Sequence, residues 1–217
     1  MSEKEGFNPL VIDFGSLNCR AGIGGEEGPR TNFPNCIEID EDKFIIGQDD
    51  EDKRIDYKII YPFHRGLVKN ETQIEHIEKI YKYAWNECVY SFEKANLSLL
   101  IFEKMINKEE NKVFRKKMSE LFFENFKAPS FCVAPQEIAS VICNGSFNGL
   151  SVDLGHSIFE IASVIKSGES KIPTAIPEKL KALYFAGEDL IAYNSQYLAD
   201  NKIKLSPKIR NIIGKIY

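Results

Sequence analysis

Twice in this chain an apolar run ends in an aspartate, and a glycine and a second apolar run follow almost at once. Residues 10–23 read LVIDFGSLNCRAGI, and residues 150–165 read LSVDLGHSIFEIASVI. Apolar stretches broken by glycine and small polar residues form two strands joined by a tight turn, so 9–24, with its turn at Gly15, Ser16 and Leu17, and 149–165 each read as a β-hairpin. Asp13 and Asp153 stand at corresponding places in the two hairpins. The repetition asks for two sheets, each with a carboxylate at the end of a strand.

Such a turn also has a chemistry. Glycine lets backbone N–H groups come close to a ligand and converge on it, and a concave nest of donors binds phosphate oxygens. A serine adds a hydroxyl donor. A carboxylate beside phosphates repels them, but it can hold a divalent metal, usually through water, that bridges to them. Two hairpins on opposite sides of one ligand would clamp a nucleotide and its metal. A single hydrophobic-Asp-x-Gly is explained equally well by an Asx-type turn; the duplication is what points to a ligand.

Elsewhere strands alternate with helices. FIIG at 44–47 reads as a short strand. Asn70 and Gln73 have the spacing of a capping box. Ile74, Ile77, Tyr81, Ala84, Trp85 and Cys88 then follow at helical spacing, which predicts an amphipathic helix over 71–89. LSLLIF at 97–102 is a buried strand. Phe114, Met118, Leu121 and Phe122 mark a second helix, stopped near Ala128 and Pro129. SFCVA is a further strand. Pro135 suits the first position of a helix whose apolar face is Ile138, Ala139 and Ile142 and whose stop is Gly145. Leu190, Ile191, Asn194 and Leu198 place a helix near 188–200, and PKIRNIIGKIY has a helical pattern. Strands alternating with helices predict an α/β class.

Composition excludes several functions. A net charge of −4 with no basic run gives no electrostatic footprint for nucleic acid or acidic membranes, so neither is an expected partner. The cluster DDEDKR at 49–54 reads as a solvated loop. Five cysteines, Cys19, Cys36, Cys88, Cys132 and Cys143, include no CxxC pair and suggest neither a zinc site nor a disulfide framework. Three of them lie in apolar patterns, as small buried hydrophobes do. The polar start MSEKEGFNP does not read as a signal peptide, and no apolar run has the length of a membrane span. The expected compartment is the reducing nucleus or cytoplasm.

These segments, in this order, resemble actin and the actin-related proteins. VIDFGSLNCRAG is similar to the family's first phosphate loop, and GPRTNFPN to the segment after it. IIYPFHRGLVKNETQIEHI resembles the return into the first large lobe. KKMSELFFENFKAPSFCVAPQEIASV resembles the helix, strand and helix that carry the catalytic glutamine. LSVDLGHSI is similar to the second phosphate loop, and LYFAGEDLIAY to the opening of the helix that leads to the last small lobe. The resemblance implies an α/β, actin-like (ribonuclease H-like) ATPase-type fold. Residues 1–145 would form the first lobe, with a reduced small subdomain inserted at 33–69, and 146–217 a partial second lobe. It implies ATP or ADP with Mg as cofactor. Asp13 and Asp153 would be metal-side carboxylates, mostly through water. Gly15, Ser16, Leu17 and Arg20, and in the second loop Gly155, His156 and Ser157, would face phosphate. Gln136 would position the attacking water if hydrolysis persists.

The departures from the family pattern weaken that nucleotide site. Leu17 brings a branched side chain to a glycine place. Arg20 replaces a lysine, a wide fork for a compact charge. His156 stands where the family has an acid. Ser157 stands at a glycine place, so the turn is expected to follow a different path. RNIIGKI aligns with the segment that supplies a lysine and a glutamate around base and ribose, where Ile213 and Gly214 offer no polar side chain. The family's long mobile loop, used for filament contacts, is missing between FPNCIEID and FIIGQ. The chain also stops at Tyr217 where family members continue. Part of the 71–89 stripe, with Ile138 and Ile142, is therefore expected to lie uncovered. Together these features predict a non-filamentous scaffold subunit, most of all of a nuclear chromatin-remodelling or histone-acetyltransferase complex. Its partners would be protein subunits, with no homopolymer and at most a residual ATPase. The alternative is an ATP-binding cytoskeletal actin-like protein, and the nucleus is slightly favoured over the cytoplasm. A sugar or acetate kinase would need a base and a substrate pocket that the sequence does not offer.

Overall fold

The computed structural model describes residues 8–40, 43–47, 58–63, 65–68, 70–89, 97–107, 112–168, 170 and 172–203. The charged cluster at 49–54 and Ile213 and Gly214 lie outside the described residues. The chain divides into two compact units, Met1–Ala139 and Ser140–Tyr217.

Unit 1 is built on a five-stranded sheet. Its strands are β1 (Leu10–Phe14), β2 (Asn18–Ile23), β3 (Thr31–Pro34), and two later strands separated from these by a smaller sheet. That smaller sheet holds β4 (Ile37–Asp40), β5 (Lys43–Ile45) and β6 (Lys58–Ile60), with β4 in the middle. Asp40 pairs with Lys43, so only residues 41 and 42 connect β4 to β5. Helix α1 (Glu71–Cys88) follows, then β7 (Leu99–Glu103), α2 (Lys112–Glu124), β8 (Phe131–Pro135) and α3 (Gln136–Cys143). The large sheet has the order β3-β2-β1-β7-β8. β1 to β3 are antiparallel, while β7 and β8 run parallel to β1. The β7-α2-β8 segment is the crossover that parallel neighbours require.

The core follows from two periodicities meeting. Leu10 and Ile12 on β1, and Leu99 and Ile101 on β7, alternate with less buried neighbours at the period of two that gives a strand one buried face. Against them lie Ile77, Ile80, Tyr81, Ala84 and Cys88 of α1 and Phe114, Met118 and Phe122 of α2. The Tyr81 ring meets Phe14 edge-on at 4.2 Å and Phe122 at 4.7 Å between centroids. The Asn70–Gln73 capping box forms as its spacing predicts, with both reciprocal bonds present. The expectation that the α1 stripe would be left partly uncovered fails. Ile77, Tyr81, Ala84 and Cys88 are buried, because the stripe packs on β1, β2 and β3.

Two helix boundaries also differ from the reading of the sequence. α2 ends at Glu124, before Ala128: Lys127 takes a left-handed φ of 53° and the Ala128 N–H returns to the Phe122 carbonyl at 3.1 Å, a C-terminal stop. Pro135 is the last residue of edge strand β8, where a missing N–H removes no ladder bond, and the helix begins at Gln136. The buried face of α3 is Glu137 and Val141, while Ile142 is exposed. One oxygen of the buried Glu137 carboxylate accepts the Met105 N–H at 3.0 Å, and the other, Oε2, has no hydrogen-bond partner.

Unit 2 contains β9 (Gly149–Leu154), β10 (Phe159–Ile165), β11 (Thr174–Ala175), β12 (Lys181–Leu183) and α4 (Gly187–Asp200). β10 is central, paired with β9 on one side and with β11 and β12 on the other. The register puts Leu150, Val152, Leu154, Phe159, Ile161 and Leu183 on one face, and Ser151, Asp153, Glu160 and Ala162 on the other. Apolar residues stand on both faces: Ala162 and Val164 are buried with the polar pair, while the leucine-rich face stays in water. Leu150, Val152, Leu154 and Leu183 are 61%, 59%, 65% and 58% exposed, whereas Ser151 and Glu160 are 4% and 1% exposed. No helix among the described residues is long and apolar enough to cross a membrane.

Candidate phosphate-loop site

In open α/β sheets ligands collect at the carboxyl ends of parallel strands. Unit 1 gathers its candidate residues there. Asp13, Phe102 and Ala134 form one cross-strand row near the ends of β1, β7 and β8. Asp13 and Arg20 are cross-strand partners in the first hairpin, with Arg20 Nη1 3.4 Å from Asp13 Oδ2 and both side chains partly exposed. A pair of this length in contact with water is weak. Gln136 opens α3 two residues beyond the row that contains Asp13. The structure therefore brings Asp13, Gly15, Ser16, Leu17, Arg20 and Gln136 to the same end of one sheet.

The turn itself is tight. A Cβ at Gly15 would lie 2.7 Å from the Asn18 carbonyl oxygen, closer than a side chain can come. Leu17 is half-buried and does not take a positive φ, so the branched residue at a glycine place costs the backbone nothing here. The loop is held from one side by Asn35, just past β3. The Asn35 N–H donates to the Leu17 carbonyl at 2.7 Å, and Asn35 Nδ2 donates to the Gly15 carbonyl at 2.6 Å. The reading of the sequence did not single out Asn35. Its signal was present in GPRTNFPN, a polar residue placed directly after a strand that pairs with β2.

Beside the Asp13–Arg20 pair lies a cavity of about 300 Å³, lined by Val11, Gly22, Gly24 and Glu26 among others. Of its lining, Glu26 is held by Arg30. Arg30 Nη1 donates to the Cys88 carbonyl at 2.7 Å, and Nε donates to the Glu26 carboxylate at 2.8 Å. The hydrogen bond from Arg30 lowers the Glu26 pKa and, reciprocally, raises that of Arg30. Under the hairpin, burial and then the charge of Asp13 push the Cys19 thiol well above its ordinary range. Cys88 is pushed up to about 11, chiefly by burial.

Unit 2 holds the second set. Gly155 N–H closes the turn onto the Ile158 carbonyl at 3.0 Å. Gly155, His156 and Ser157 all keep φ out of the left-handed region, so the serine at a glycine place is accommodated without strain. The loop docks on the start of α4: Gly187 N–H reaches the Gly155 carbonyl at 3.1 Å, and Glu188 N–H the His156 carbonyl at 2.8 Å. A helix N-terminus normally offers its N–H groups to an anion, but these two are already engaged by the loop. A Cβ at Gly187 would lie 3.2 Å from His156 Cα, which explains glycine at the docking point. Asp153 lies directly across from Glu160, a second carboxylate that the reading of the sequence missed. Counting the register back from the turn would have found it.

The residues of unit 1 fit the phosphate-and-metal part of a magnesium nucleotide: an accessible carboxylate, a cation beside it and a glycine-tight turn. Among the described residues no group of three or more His, Cys, Asp or Glu could hold a metal by direct ligation. A metal at Asp13 would therefore be held mainly through water. A family model described as Actin matches residues 4–214 of the chain.

Proposed function

The chain belongs to the actin family, and from that premise we propose that it acts as a non-filamentous scaffold subunit of a nuclear chromatin-remodelling or histone-acetyltransferase complex. The observation that carries this reading is the exposed apolar face of the unit 2 sheet, which presents Leu150, Val152, Leu154 and Leu183 to water. Exposed apolar patches of this kind mark contact surfaces. The partner this reading requires is a helical segment of a larger protein subunit. The two-residue connection between β4 and β5 supports it, because it leaves no long loop there to reach a neighbouring subunit. Nucleotide is bound weakly at most and hydrolysis is negligible, since a phosphate clamp alone discriminates little for adenine.

The test is affinity capture from the source cells with mass spectrometry, alongside calorimetry with magnesium ATP. Remodelling or acetyltransferase subunits in the capture, and no submicromolar ATP binding, support the scaffold. Filament or motor components, or salt-induced filaments of the purified chain, would overturn it. They would favour the alternative, an ATP-binding cytoskeletal actin-like protein. One observation favours that alternative: the first loop is tight and pinned beside Asp13 and Arg20.

A further inference from the structure

We propose that Asn35 is the positioning residue of the first loop: it turns the carbonyls of Gly15 and Leu17 toward itself and so fixes the Ser16 and Asn18 N–H groups as donors for a phosphoryl-type anion. The inference rests on the phosphate-loop reading of residues 13–20, not on the scaffold role.

The geometry is specific. Asn35 is fully buried, and its two hydrogen bonds, at 2.6 and 2.7 Å, grip the carbonyls on either side of Ser16. A peptide unit is planar and trans, so the N–H of the next residue points opposite to each carbonyl. Holding the Gly15 carbonyl toward Asn35 directs the Ser16 N–H away from it, and holding the Leu17 carbonyl does the same for Asn18. Neither peptide can rotate without breaking a bond to Asn35. Converging N–H donors of a tight turn bind anions, and fixing them beforehand removes the ordering cost from binding.

The other end of the same side chain supports this role. Asn35 Oδ1 is buried with no hydrogen-bond partner. Such an orphan acceptor is unfavourable, and an apolar residue of the same size would fill the space without it. What the carboxamide alone can do is donate to Gly15. Its orientation is also determined, because exchanging oxygen and nitrogen would set two oxygens face to face at the Gly15 carbonyl. Arg20, across the ladder from Asp13, supplies the cation beside the loop. The ligand is thus identified by its phosphoryl oxygens, whether it is inorganic pyrophosphate or the phosphate tail of a nucleotide.

The experiment uses the full chain, labelled with ¹⁵N, and follows amide shifts on titration with magnesium pyrophosphate and, separately, magnesium ATP. Ser16 and Asn18 should shift in both titrations, and a similar affinity for the two ligands would show that the base contributes little. Asn35→Ala should weaken pyrophosphate binding about tenfold, as expected for loss of a preorganising hydrogen bond, and should move the Ser16 and Asn18 amides before any ligand is added. Arg20→Gln should weaken binding while leaving those unliganded amides in place. Asn35→Ser, which keeps a donor of shorter reach, should recover part of the affinity; it also serves if the alanine variant does not fold. Wild-type amides that ignore millimolar pyrophosphate would overturn the proposal together with the phosphate-loop reading. If the wild type binds and Asn35→Ala only lowers the melting temperature with affinity unchanged, the site stands and the role of Asn35 falls.

Discussion

The bare face of the unit 2 sheet allows a prediction worked from the structure. Fully covering a valine or leucine is worth about 1.5–3 kcal/mol. Leu150, Val152, Leu154 and Leu183 each keep roughly three-fifths of their surface in water, so covering all four recovers about 4–7 kcal/mol. Association costs about 4–15 kcal/mol in lost freedom. The gain reaches only the lower end of that cost, so by itself the face supports weak association at best, and one charge in it should be decisive. Val152→Asp, or Leu154→Lys, places that charge at a site already exposed in the folded chain, so its cost to folding should stay within about 0.5 kcal/mol. In light scattering the wild type alone should show concentration-dependent association, and it should bind an apolar fluorescent dye. The variants should scatter as monomers, bind less dye, lose the captured partner and keep the wild-type near-ultraviolet circular dichroism. A wild-type chain that is a monodisperse, cooperatively melting monomer with no dye binding would refute the reasoning. So would a variant that unfolds unit 2, since that would show the face to be covered within the folded chain.

Other consequences are local. Asn70→Ala removes the side-chain oxygen that accepts the Gln73 N–H in the α1 capping box and should cost about 1 kcal/mol in urea unfolding; no change would mean that this cap bond contributes nothing. Gly187→Ala should push the 155–157 turn off the start of α4, because its Cβ would meet His156 Cα at 3.2 Å; amide shifts confined to residues near 155–157 and 187 check it. Burial raises the Cys88 pKa from 9.0 to about 11, so its neutral form is favoured on folding. A raised pKa gives stability that is present in full below pH 9 and is lost as pH rises through 11. Melting temperature should fall across that window, and less steeply in Cys88→Ala. At pH 8 a thiol reagent should modify exposed Cys132 and Cys143 at once and leave buried Cys19, Cys36 and Cys88 until unfolding.

How much of this was legible in the sequence depended on which physical signal carried it. The α1 helix announced itself twice, by the Asn70–Gln73 spacing and by a stripe from Ile74 to Cys88; the box forms, and the stripe is buried except for Ile74, which is partly covered. The stripe missed His76 and Ile80, which are buried on the same helix. The two hairpins were legible because glycine and a change of pattern mark a turn. β3, β6, β11 and β12 run for four, three, two and three residues, too short for a period of two to declare itself. They exist because a neighbouring strand offers an edge. The unit 2 sheet shows a different limit. LSVDL states plainly that Leu150, Val152 and Leu154 share a face, but a period assigns residues to faces without saying which face is covered. The α3 face failed for a related reason: Glu137 is buried on it, where one of its oxygens accepts the Met105 N–H.

The phosphate loop was both easier and harder to read than its side chains suggested. Leu17, Arg20 and Ser157 look like losses when residue types are compared, because comparison weighs side chains. A loop that binds through backbone N–H groups is governed instead by where its peptide planes point. Leu17 and Ser157 leave the chain in ordinary φ, so neither substitution alters the turn by strain. What sets the planes at residues 15 and 17 is a residue outside the loop, Asn35, bonded to two carbonyls. A substitution at Leu17 that keeps φ negative would thus disturb the donors less than removal of one carboxamide twenty residues away from Gly15. The competence of such a site is carried by the residues that hold its backbone as much as by the motif itself.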